Sequence, residues 1–143
     1  LNRRSDAADL VMRLAARDAF VASLGIEAVD GGPGRAAVKM RVRPEHLNFN
    51  GTCHGGVVFS LADTAFGLAS NSHGAVAAGV DAHITYQIAV HVGDMLTATA
   101  IEVSRGRKLA VYRVDVENEA GQLVSSFTGT VYVTTKSNES AEL

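Results

Sequence analysis

The sequence predicts an α+β domain in which an antiparallel sheet wraps around one long buried helix. Three observations carry this expectation. Residues Gly56 to Ser72 are apolar on nearly every face at helical spacing, as only a buried helix can be. Four segments rich in Val, Thr, Tyr and Ile follow, separated by turn residues, and read as strands. Ahead of the helix, AAVKMRVRP alternates Val38, Met40 and Val42 with Lys39, Arg41 and Arg43, the pattern of a half-buried strand that Pro44 stops.

The elements follow in order. Residues 5 to 23 are expected to form a helix, with Ser5 or Asp6 capping its start and Gly25 stopping it. Leu10, Val11, Leu14 and Phe20 give it a loose apolar stripe. Residues 26 to 32 are a short run ending in the turn signal DGGPG. The central helix contains Val57, Val58, Leu61, Ala65, Phe66 and Leu68 but also one carboxylate, Asp63. His73-Gly74 is its expected stop. AVAAGVDAHITYQIAV then runs to the break at Gly93-Asp94. Three runs of about ten residues, joined by SRGRK and NEAGQ, predict a meander. The reading is one domain over 1–143, with an N-terminal helix in 1–25 and a polar tail from 134 to 143.

Composition excludes several classes. A hydrophobic fraction of 47% with 20% charged residues is that of a soluble globular protein. A net charge of -2 gives no reason to expect nucleic acid or an anionic membrane as partner. No apolar run reaches the roughly 18 residues of a membrane span. The N-terminal stretch has no apolar signal region, and Asp6, Asp9 and Asp18 argue against a transit peptide. The single cysteine, Cys53, excludes an internal disulfide and fits a reducing cytoplasm. His54, His73, His83 and His91 show no metal-ligand spacing, so no metal is expected.

Asn48, His54-Gly55-Gly56, Ala62-Asp63 and the later Gly93-Asp94-x-Leu96-x-Ala98, in this order, resemble the hotdog-fold acyl-CoA thioesterases. ADTAF at 62–66, ASNSHG at 69–74 and FTGTVY at 127–132 narrow the resemblance to the phenylacetate-pathway group usually called PaaI. The match runs from about Pro44 to Val133. It implies that Asp63 acts as nucleophile or as general base towards water, and that Gly55 offers its backbone N–H to the thioester carbonyl. It also implies that Asn48 and Thr64 order the site, with Asn50 a competitor to Asn48. Phenylacetyl-CoA or a ring-hydroxylated relative is the substrate implied, with no cofactor. A dimer of dimers is the implied assembly.

The residues themselves allow the same chemistry. Thioester hydrolysis needs a carboxylate to attack or to activate water, and donors for the developing oxyanion. Asp63 supplies the first. The start of the central helix supplies the second, because its first N–H groups lack helical partners and the dipole favours negative charge. Glycines at 55 and 56 let a substrate oxygen approach that backbone closely.

Spacing adds a constraint. Gly55 and Asp63 are eight residues apart, about 12 Å along a helix at ~1.5 Å per residue. One carbonyl carbon cannot react near both. Two chains with antiparallel central helices about a two-fold axis can bring Asp63 of one to Gly55 of the other. The catalytic reading therefore requires at least a dimer, with Asp63 buried at the interface. Burial should raise the pKa of Asp63, whereas helix N-termini or the Thr64 hydroxyl should lower it.

Other residues have competing readings. His54 is expected to orient the turn rather than to transfer protons. Cys53 beside it reads as a buried inert thiol, because sequence neighbours rarely face each other productively. Arg105, Arg107 and Lys108 form either a solvated hairpin tip or a contact for the CoA phosphates. Phe49, Phe59 and Phe66 are candidates for an acyl pocket, the last two being equally well explained as core. Two other functions use the same features: a hydratase or dehydratase of acyl thioesters, and a non-catalytic acyl-CoA-binding module.

Overall fold

A computed structural model describes residues 3–138. Three α-helices and six strands follow in chain order: α1 (Arg3–Ala16), α2 (Ala19–Leu24), β1 (Glu27–Gly32), β2 (Arg35–Arg41), α3 (Gly55–Asn71), β3 (Ala75–Tyr86), β4 (Met95–Arg105), β5 (Leu109–Glu117) and β6 (Leu123–Ser137), with a 3-10 turn at Pro44–His46 between β2 and α3. The strands form one antiparallel sheet in the order β1-β2-β4-β5-β6-β3. The expected meander is β4-β5-β6, and β3 crosses over to the far edge beside β6.

The sheet wraps α3, which packs on β2, β3, β4, β5 and β6. Leu61, Ala62, Ala65, Phe66 and Ala69 point into the core against Met40, Leu96, Val114 and Phe127. Phe66 sits edge-on to Tyr112 and tilted against Phe127. Gly129 makes room for that ring: a Cβ there would lie 2.7 Å from it. Phe59 packs edge-on to Phe127, so both Phe59 and Phe66 belong to the packed interior.

The N-terminal helix differs from the expectation of one element over 5–23. The chain leaves the helical conformation at Asp18, whose side chain accepts a hydrogen bond from Val21 N at 3.1 Å and starts α2 as its N-cap. An Asp that satisfies a free N–H in this way favours a new helix start over continuation. The break puts the predicted stripe out of phase. Leu10 and Val11 are buried and Leu14 is half-buried, but Phe20 is 58% exposed. Val11 lies flat on β1, where a Cβ at Gly31 would come within 2.8 Å of it. At the other end, β6 continues to Ser137, beyond the expected start of a polar tail at 134, because β3 pairs with it as far as Ala75↔Ser137. Residues 139–143 of that tail lie outside the described residues.

No helix among the described residues is long and apolar enough to cross a membrane. β3 is an edge strand and is exposed through most of its length, including Val80 at 62%. Sheet edges of this kind are ready-made pairing surfaces.

Candidate active site

The loop from Asn48 to Cys53 delivers the chain to the start of α3. Asn48 organises it from within. Its Oδ1 accepts from Asn50 N at 2.8 Å and Thr52 N at 3.3 Å, and its backbone N donates to Thr52 O at 2.8 Å. Asn50 is exposed and contributes its backbone N–H, so Asn48 is the residue whose side chain shapes the loop. His54 is the N-cap of α3, and its Nδ1 accepts from Gly56 N at 2.8 Å. The neutral ring then carries its proton on Nε2. The Gly56 N–H is thus taken by the cap. Val57 N and Val58 N both reach His54 O.

Of the four N–H groups that open α3, only that of Gly55 has no partner among the described residues. The helix dipole places partial positive charge at this donor. Tyr86 holds the position. Its hydroxyl donates to Gly55 O at 3.1 Å, and its ring lies where a Cβ on Gly55 would approach within 3.3 Å. Burial pushes the Tyr86 phenol pKa up, which keeps it a neutral donor. Nothing in the one-dimensional pattern marks Tyr86, because the contact is made between elements 31 residues apart.

Two turns along α3, Asp63 is exposed on the surface of the single chain rather than enclosed by its own core. The apolar walls beside it still desolvate its carboxyl enough to raise the pKa above the ordinary 3.8. The opposing donors expected from the sequence do not reach it. Thr64 turns its hydroxyl back to Ser60 O at 2.7 Å, and the Asp63 carboxylate has no hydrogen-bond or ion-pair partner among the described residues. Desolvation therefore acts alone.

Gly55 and Asp63 open into different depressions. Gly55 lines a pocket of about 250 Å³ with Cys53, Val58, Tyr86 and Val90. Asp63 and Thr64 line a groove of about 660 Å³ between α3 and the α1–α2 elbow. The two share no lining residue. A backbone N–H donor and a carboxylate, both unpartnered among the described residues and both on α3, are thus kept apart within one chain.

Residues 50–125 match the model of the thioesterase superfamily. The chain belongs to that superfamily. A putative esterase of Archaeoglobus fulgidus is 50% identical over 99 residues, 69% of this chain and 64% of that protein, so the match spans just under two thirds of its length. The Escherichia coli acyl-coenzyme A thioesterase PaaI is 39% identical over 112 residues, 78% of this chain and 80% of the relative. Among solved structures, the E. coli PaaI protein of the phenylacetic acid degradation operon superposes with a TM-score of 0.92 at 33% identity, covering 95% of this chain and 99% of that one. A Streptococcus mutans protein bound to acetyl CoA superposes with a TM-score of 0.76 at 34% identity, covering 79% and 91%. The resemblance to PaaI-type thioesterases and the α+β hotdog fold it implied are both found.

Cys53 is buried, and desolvation followed by the charge of Asp94 pushes its thiol pKa up to about 11, so it is not a nucleophile at neutral pH. Arg105 lies 4.0 Å from Glu102 and shares its charge with that carboxylate, whereas Arg107 and Lys108 are exposed at the β4–β5 tip. Phe49 is 97% exposed at the apex of the loop leading to Gly55. Among the described residues no three His, Cys, Asp or Glu side chains gather as a metal site.

Proposed function

We propose that the chain hydrolyses acyl-CoA thioesters, with aryl-acetyl groups such as phenylacetyl or ring-hydroxylated phenylacetyl as substrates, and that its site is shared between two subunits. One observation carries the reading: Gly55 N–H and the Asp63 carboxylate are both unpartnered, about 12 Å apart on one helix and in separate depressions. A two-fold pairing with antiparallel α3 helices brings Gly55 of the partner subunit to Asp63 and creates two equivalent sites. The exposed edge of β3 supports such pairing, because joining two β3 edges satisfies their open hydrogen-bonding groups. A dimer of dimers extends the same reading.

In this arrangement the thioester carbonyl oxygen accepts from the Gly55 N–H. Asp63 either attacks the carbonyl carbon or takes a proton from the attacking water. Both routes pass through a tetrahedral oxyanion that the fixed donor stabilises. The C–S bond breaks and CoA leaves as thiolate, which takes a proton; the water route gives the free acid directly, whereas direct attack leaves an acyl anhydride on Asp63 that a water then hydrolyses to the free acid and the carboxylate. His54 and Asn48 fix the backbone that presents the donor. Arg107 and Lys108, with Arg105 anchored behind them, offer charge for the CoA phosphates. Phe49 travels with Gly55 and adds an aromatic surface beside the acyl group. The E. coli PaaI relative supports the aryl-acetyl assignment. The reading includes a cytoplasmic setting, supported by the lone reduced cysteine.

The test follows thiol release from phenylacetyl-, hydroxyphenylacetyl-, short-chain and long-chain acyl-CoA. Turnover should be highest for aryl-acetyl esters and should be lost in Asp63→Asn while the oligomer persists. Mixing refolded Asp63→Asn and Gly55→Pro subunits should restore about a quarter of wild-type activity, since half the random pairs carry one intact site. Ester binding without turnover by the wild type would leave a binding module instead.

A further inference from the structure

The groove at Asp63 has a second wall that the reaction itself does not require. One side is α3, through Asp63, Thr64, Gly67 and Leu68. The other is the α1–α2 elbow, through Leu14 and Phe20. Phe20 is 58% exposed although it follows an apolar stripe, because the Asp18 cap restarts the helix and rotates it off that stripe. Its neighbour Val21 takes the buried position and anchors α2. The ring is thereby held at the groove.

The elbow is tied to the same end of α3 that it faces. Arg17 donates to Asn138 O at 3.2 Å. Asn138 in turn donates through Nδ2 to Asn71 O at 3.1 Å and Ala75 O at 3.0 Å, and its backbone N donates to Gly74 O at 2.8 Å. This clasp joins the elbow, the end of β6 and the last turn of α3. The two walls are therefore spaced by hydrogen bonds. A groove of about 660 Å³ lies within the volume range of small-molecule sites, roughly 300–1,000 Å³.

We infer that the α1–α2 elbow is the specificity wall of the site, and that the Phe20 ring is the surface against which the acyl group stops. This rests on the hydrolase reading for the identity of the ligand, but concerns only which acyl groups fit. An aromatic ring at a fixed spacing from the carboxylate favours a compact aryl-acetyl group, by edge or offset contact, over an extended chain. Removing the ring opens the groove along α2.

The test compares phenylacetyl-CoA with decanoyl-CoA on wild type, Phe20→Leu and Phe20→Ala. The ratio of kcat/KM, aryl over decanoyl, should fall about tenfold in Phe20→Ala and by less in Phe20→Leu, with the change in KM rather than kcat. Met12→Ala, exposed on α1 and not lining the groove, should leave the ratio unchanged. All variants should keep the wild-type Tm. The same esters are titrated onto Asp63→Asn with and without Phe20→Ala, so that acyl preference is also read as a Kd ratio. Ratios within twofold of wild type in both measurements overturn the wall. A Kd ratio that shifts in the absence of any wild-type turnover upholds the wall and overturns the hydrolase reading alone.

Discussion

The first half of α3 and its C-terminal end treat polar groups in opposite ways. At the C-terminal end every polar side chain is engaged. Ser72 Oγ accepts from Gly34 N and donates to Ala69 O, and Asn71 bridges Gly67 O, Ala77 O and Ala77 N. His73 and Tyr112 both bond Glu102 Oε1, at 2.8 and 2.6 Å. In the first half, the Gly55 donor and the Asp63 carboxylate have no partner among the described residues. Gly55 is half-buried and Asp63 is exposed on the single chain, so the contrast separates a network closed within the chain from two groups left open to something outside it. It also teaches that local saturation, more than residue type, tells the two apart: both regions carry a carboxylate.

The comparison can be broken most directly at Asp63 and Glu102. Asp63→Asn should lower kcat by roughly 10²–10⁴-fold, the range for a lost general base, yet leave Tm unchanged or slightly higher. The sign follows from desolvation, which raises the folded pKa: the ionised form is disfavoured by folding, and stability falls as pH rises through that value. A clear loss of stability in Asp63→Asn would remove the contrast. The donor is tested next. Gly55 is the first residue of α3 and follows His54 in an extended conformation, with ψ 133, so proline fits both positions. Gly55→Pro deletes this N–H while crowding Tyr86, and should cost about 10²–10³ in kcat. Gly55→Ala keeps the N–H with similar crowding of Tyr86 and should cost far less.

Glu102 should behave in the reverse sense. Burial would raise its pKa, but hydrogen bonds from Tyr112 and His73, with the charges of His73 and Arg105, outweigh that and hold it below the ordinary 4.5. Its contribution to stability is therefore present above pH 4.5 and is lost as pH falls through the folded value. Glu102→Gln and Tyr112→Phe should each cost about 1–2 kcal/mol in urea unfolding at pH 7 with kcat unchanged, and the Glu102→Gln deficit should shrink as pH falls below 4.5. The smallest effect is on the acid limb of kcat/KM. Its midpoint should lie above 3.8, the ordinary aspartate value, because the reacting form of Asp63 is ionised.

Much of this was legible in the chain. The period of the apolar residues in α3 and the alternation in β2 located both elements to within a residue or two, since core-facing periodicity survives in sequence. The helix break at Asp18 was not legible, because an Asp after a run of helix formers is as compatible with a solvated face as with a cap. β3 read as a strand, but its place at the sheet edge depends on a crossover that no local signal encodes.

The sequence by itself determined the fold class, the family, and the two groups on α3, together with the argument that a rise of ~1.5 Å per residue forbids one chain from using both on one carbonyl. Only the tertiary structure decided which groups are left open. It showed that the His54 cap consumes the Gly56 N–H and spares that of Gly55, that Thr64 turns away from Asp63, and that Tyr86 and Phe20 stand at the two depressions. The physical reason is that hydrogen-bond saturation and desolvation are properties of what surrounds a residue, and those surroundings come from segments far away in the chain.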